Sequence, residues 1–119
     1  MFGFLNNPKI DEVAKHAQAA IASNGVDISF REIKKITKTY LGNVPKKHLE
    51  NAHPSIIAAF VLATEGVMLS KAGEDPLFKV CFDSIPILIK EVGASANPDD
   101  LIYLKMTIET AQKVGVKFE

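Results

Sequence analysis

Between Pro54 and Gly73 the chain reads PSIIAAFVLATEGVMLSKAG, a run of helical length with almost no polar side. An amphipathic helix can rest on a surface, but one that is apolar nearly all round must be covered on every side. The run therefore predicts a helix at the centre of a bundle. Its purely apolar part, Ile56 to Leu69, is interrupted by Thr64 and Glu65 and falls short of the ~20 residues that cross a bilayer. Ala59, Ala63, Gly66 and Ser70 recur along it at spacings of three and four, a stripe of small residues that lets another backbone come close. With no net charge to oppose self-association, that stripe suggests a homodimer.

Start and stop signals place further helices around this one. Asn7, Pro8, Asp11 and Glu12 make a helix start, Ile10, Val13, Ala17 and Ile21 its apolar stripe, and Asn24-Gly25 a left-handed stop. Ser29 to Glu32 spell a capping box. Phe30, Ile33, Thr37 and Tyr40 form the inner face that follows, Ile36 and Leu41 widen it, and Gly42 ends it. A short helical turn is expected from Pro45, and Asp75-Pro76 opens the next long helix. There Phe78, Cys81, Phe82, Ile85, Leu88, Ile89 and Val92 stay in phase across Pro86, which predicts one helix kinked at Pro86 rather than two. Asn97, Pro98, Asp99 and Asp100 begin the last helix, with Leu101, Leu104, Ile108 and Ala111 expected inside and Gly115 as its stop. Phe2/Phe4 and Val114/Val116/Phe118 alternate like short extended segments. The expectation is a single all-α domain over residues 1–119, a bundle of about five principal helices. An apolar arm at 1–7 and a tail at 115–119 flank it.

Lys plus Arg and Asp plus Glu number 14 each, a balance that disfavours a nucleic-acid coat or a polybasic membrane binder. Cys81 is the only cysteine, so no intramolecular disulfide forms, which suits a reducing compartment. The start, MFGFLNNPK, lacks the basic and long apolar regions of a secretory signal. A soluble cytoplasmic protein that spans no membrane is expected.

The stretch SNGVDISFREI, Ser23 to Ile33, is the nearest approach to a metal loop. With Glu32 as the twelfth position of a calcium-binding loop, Ile21, Ser23 and Gly25 fall where oxygen ligands belong. Of the residues at the first, third, fifth and seventh positions only Asp27, the seventh, is an acid, and the required glycine becomes Val26. The same residues resemble the Asp-Gly-x-Ile-Ser-x-x-Glu turn of tellurite-resistance B-type helical domains, with Asn24 in place of the acid and one residue inserted after the glycine. A helix–helix turn explains every residue: Gly25 stops one helix, Ile28 staples, and Ser29 with Glu32 caps the next. A DNA-reading helix-turn-helix fails on register, because Arg31 and Lys34 would occupy buried positions.

Arg31, Lys34, Lys35 and Lys38 share one face of the second helix, and Lys46 and Lys47 follow. Residues 31 to 47 thus carry +5 in a chain of net zero, leaving the acids, among them Glu74, Asp75, Asp99 and Asp100, elsewhere. Segregated charge points to an acidic partner or to head-to-tail association. His16, His48 and His53 lack metal-ligand spacing and are expected as surface or capping residues. Cys81, on an apolar stripe, is expected to behave as a small hydrophobe. Glu65 is the one carboxylate inside the apolar helix and a candidate buried acid. Neither a catalytic constellation nor a glycine-rich phosphate loop is present.

The leading expectation is a non-enzymatic helical protein that binds another protein through Arg31, Lys34, Lys35, Lys38, Lys46 and Lys47, with no metal or cofactor. The second is a nucleic-acid accessory protein gripping phosphates through the same residues, although stacking aromatics are missing there. The third is a small-ligand site or enzyme centred on Glu65. Because the 21–32 loop lacks its acids, calorimetric titration with millimolar calcium should give no saturable heat; a submicromolar site would overturn the turn assignment.

Overall fold

In the computed structural model, which describes residues 8–73, 76–92 and 97–116, the apolar run forms helix α4 (Pro54–Ala72) at the centre of a six-helix bundle. Around it stand α1 (Pro8–Ser23), α2 (Phe30–Leu41), the short α3 (Lys46–Glu50), α5 (Pro76–Val92) and α6 (Pro98–Gln112). Helix α4 packs most extensively on α5 and α6 and also meets α1 and α2. Its Ile56, Ile57, Val61 and Leu62 are fully buried, each side chain contributing about 1.5–3 kcal/mol. Over Pro54–Lys71, α4 is long and apolar enough to cross a membrane, but more than half of that window is covered by the other helices.

The small stripe is used within the chain. Ala59, Ala63 and Gly66 are buried, whereas Ser70 is exposed. A Cβ built on Gly66 would lie 2.5 Å from Phe82 Cε2 of α5. The ring of Phe82 thus occupies the space a side chain would need, and Phe78 meets it edge-on at 5.2 Å between centroids. Of the stripe that suggested a homodimer, Gly66 is therefore spent on the α4–α5 contact, and Ala59 and Ala63 are buried within the chain.

Most helix ends follow their local chemistry. Gly25, at φ 83°, ends α1 with the Val26 N–H on the Ile21 carbonyl and the Gly25 N–H on that of Ala22, the Schellman pattern. Ser29 Oγ accepts from the Glu32 N–H at 3.1 Å. His53 caps α4, its Nδ1 accepting from the Ser55 N–H at 3.0 Å. Helix α5 runs unbroken through Pro86, so the phase of its apolar residues outweighs one missing backbone donor.

The last helix differs from expectation. Its inner face is Asp100, Tyr103, Thr107 and Ala111, while Leu101 is 54% exposed and Leu104 and Ile108 are only half-buried. Burial favours the more polar stripe because each of its polar groups finds a partner. The Asp100 carboxylate accepts from the His53 N–H at 2.7 Å and from the Asn97 N–H at 3.0 Å. Tyr103 donates to the His48 carbonyl at 2.9 Å, and Thr107 to the Tyr103 carbonyl at 2.7 Å. At the other end of α6, Val114 and Gly115 form a turn with Gly115 at φ 79°, correcting the extended reading of the tail there. The arm 1–7, the caps Asn7 and Asp75, Glu74 and residues 117–119 lie outside the described residues.

The Gly66–Phe82 contact predicts a sign reversal. Ala for Gly in a helix interior normally stabilises by about 1 kcal/mol; Gly66→Ala should instead destabilise by about 1–3 kcal/mol through overpacking. Phe82→Leu removes the obstructing ring, so urea unfolding of the double variant should show a smaller loss than the two single losses added.

Candidate functional site

Two surfaces carry chemistry. The first is the basic face of α2, where Ile33, Thr37 and Leu41 are buried and Arg31, Lys34, Lys35, Lys38 and Thr39 line a shallow depression of about 550 Å3. Lys34 is held there: its Nζ lies 2.9 Å from Asp11 Oδ1 of α1 and 6.0 Å from the centroid of the Phe30 ring. Arg31, Lys35 and Lys38 form no ion pair among the described residues. Lys46 and Lys47 sit on α3 away from this depression, and Lys46 faces Glu50 at 3.7 Å. Four of the six candidate cations are thus gathered on one surface. Of the acids expected to balance them, Asp100 is buried in its cap and so offers no outward charge.

The second surface is a half-open cleft of about 310 Å3 where the end of α2, α3, α4 and α6 meet. Its rings are Tyr40, Phe60 and Tyr103, with Phe60 and Tyr103 edge to face at 5.9 Å. Val44, Ile102 and Met106 supply aliphatic wall, and His48 and Asp99 its polar groups. Ile102 is 55% exposed at the opening.

Glu65, the acid of α4, lies behind this cleft and is half-buried. It accepts from the Tyr40 hydroxyl at 2.6 Å, so the donor it needs is a phenol rather than a lysine. Burial first, then the bond to Glu65 and its charge, push the Tyr40 phenol well above its ordinary value. The Tyr103 phenol is also raised, by burial and then by the Asp99 carboxylate. Both rings therefore stay neutral phenols whose hydroxyls are committed, one to Glu65 and one to the His48 carbonyl.

The remaining candidates are dispersed. His16 Nδ1 lies 2.9 Å from Glu91 Oε2, and its ring meets that of His53 edge-on at 5.7 Å. Cys81 is buried on the inner stripe of α5. Among the described residues no group of three or more His, Cys, Asp or Glu side chains is placed to hold a metal. The aromatic cleft was not anticipated from sequence, because its residues come from four helices and no one helix shows a pattern. The usable signal was Tyr40 alone, which falls on a helix face expected to pack, where its hydroxyl requires a partner; Tyr103 lies off the face expected for the last helix.

No family model, curated protein or solved structure matches the chain.

The raised phenol gives a pH dependence of defined sign. Below pH 10 the Tyr40 contribution is complete, because the phenol is protonated in both states. Above the ordinary phenol value of 10.0 the unfolded chain ionises first, so stability falls as pH rises toward the higher folded value. Thermal midpoints from pH 8 to 12 should fall less steeply in Tyr40→Phe than in wild type. At pH 8 that variant should be less stable by about 1 kcal/mol, the worth of the lost hydrogen bond.

Proposed function

We propose that this chain is a non-enzymatic helical protein that acts by binding another protein, with Arg31, Lys35 and Lys38 meeting an acidic surface of that partner. The observation carrying this reading is that these cations share the outer face of a helix whose inner face is fixed in the core, with no ion pair among the described residues. Lys34, tied to Asp11, supports the face as a fixed charge. Charge complementarity of this kind speeds encounter and sets register, while a few buried anchors hold most of the affinity. A cytoplasmic setting accords with the lone, buried cysteine.

The Glu65 reading loses support, since Glu65 is engaged with a phenol that burial keeps protonated. The nucleic-acid reading draws on the same cations, but the aromatic rings of the cleft are built around Tyr40, on the opposite side of α2. The decisive variant is Arg31→Glu/Lys35→Glu/Lys38→Glu, which leaves Lys34 on Asp11. Its thermal midpoint should stay near that of wild type, as exposed substitutions usually do, within about 0.5 kcal/mol. Cross-linking and capture from the native cell should retain an acidic protein on wild type, reduced about tenfold or more on the variant. Capture of nucleic acid instead, with log affinity falling by about 0.9 per phosphate contact per log unit of salt, would replace this reading.

A further inference from the structure

The cleft between α2, α3, α4 and α6 offers an unusual set of groups for its size. Among the described residues three aromatic rings line it, and no lysine or arginine does. Its two phenol hydroxyls are already given away, Tyr40 to Glu65 and Tyr103 to the His48 carbonyl. The Asp99 carboxylate, half-buried in the first turn of α6, adds a negative charge near Tyr103, whose phenol is raised by burial first and then by this charge. An anionic ligand such as a carboxylate or phosphate would find a like charge and, apart from His48, no uncommitted side-chain donor among the described residues. A cation that needs no donors finds electron-rich ring surfaces and a carboxylate. At about 310 Å3 the space is at the small end of ligand sites, which run from roughly 300 to 1,000 Å3.

We infer that this cleft binds a small quaternary or methylated ammonium compound taken up from solution, held by Tyr40, Phe60 and Tyr103 and oriented by Asp99. The recognition is electrostatic as well as apolar. The cation rests against the rings while Asp99 neutralises its charge at the rim, and Met106 and Ile102 enclose its alkyl groups. The site lies on the side of α2 opposite the basic face, so it is independent of the protein-binding surface.

The test uses choline as the probe and 3,3-dimethylbutan-1-ol as its uncharged isostere, followed by amide and side-chain NMR shifts of the full chain. Choline should bind saturably, with shifts gathered on Tyr40, Phe60, Ile102 and Tyr103, and about tenfold or more tightly than the isostere. Asp99→Asn should weaken choline by about tenfold and leave the isostere unchanged. Tyr40→Phe keeps the ring and should retain choline binding, which separates a ring contact from a hydroxyl contact. Equal binding of the isostere would overturn the cation assignment, as would the absence of saturable choline shifts in wild type. Phosphatidylcholine vesicles distinguish a free ligand from a lipid headgroup: the protein should stay in the supernatant, and co-sedimentation would overturn the inference by reassigning the cleft to a membrane surface.

Discussion

Everything in this fold is arranged around the need to cover α4 on all sides. A helix with one apolar stripe needs one neighbour; α4 needs several, and it has α1, α2, α5 and α6. Large side chains supply the area, but the fit to α5 depends on a missing one. Gly66 has no Cβ, and Phe82 fills the place where it would be. At interior density a gap or overlap of one methyl group is felt across the contact, so this pair limits how near the two helices with the most extensive contact can come.

The opposite requirement operates at one end of the bundle, where four chain segments converge and leave backbone groups to be satisfied. Lys9 of α1 donates to the Ala52 carbonyl at 2.6 Å, beyond the last turn of α3. Asn97 donates to the Asn51 carbonyl at 2.7 Å, and the Asp100 carboxylate takes the His53 N–H at the start of α4. One aspartate therefore closes its own capping box and also ties α6 to the α3–α4 junction. The aromatic cleft adjoins that junction, since Tyr103 is anchored by the His48 carbonyl of α3. The cleft is thus built on fixed helices and held by hydrogen bonds, which keeps its rings in place without a ligand.

What was legible in the sequence was whatever depends on near neighbours. Gly25, Ser29 and Asn97 terminate or cap helices through contacts two to five residues away, and each does so here. The centrality of α4 was legible because a uniformly apolar helix leaves no choice of face. For α6 the chain offered a choice, and counting apolar residues selected Leu101, Leu104 and Ile108. The helix instead buries Asp100, Tyr103 and Thr107; the partners of the first two, His53 and His48, lie about fifty residues away and cannot be located from spacing. The same limit hid the cleft, whereas the basic face, contained within one helix, could be read directly. The partner of Glu65 was out of reach for the same reason: Tyr40 is 25 residues distant.

The position of α4 in the chain has a consequence for how the protein is made. Its cover comes from both directions: α1 and α2 precede it, but α5 and α6, which shield more of it, follow. About forty residues separate the end of α4 from the end of α6, a wait on the order of 2–8 s at ordinary rates of synthesis. Throughout that interval the most apolar of the described helices lacks part of its cover. The vulnerable moment of this protein therefore falls during translation. Codons that slow the ribosome after α4 has emerged and before α6 is complete lengthen that exposure, while pauses before residue 54 leave it unchanged.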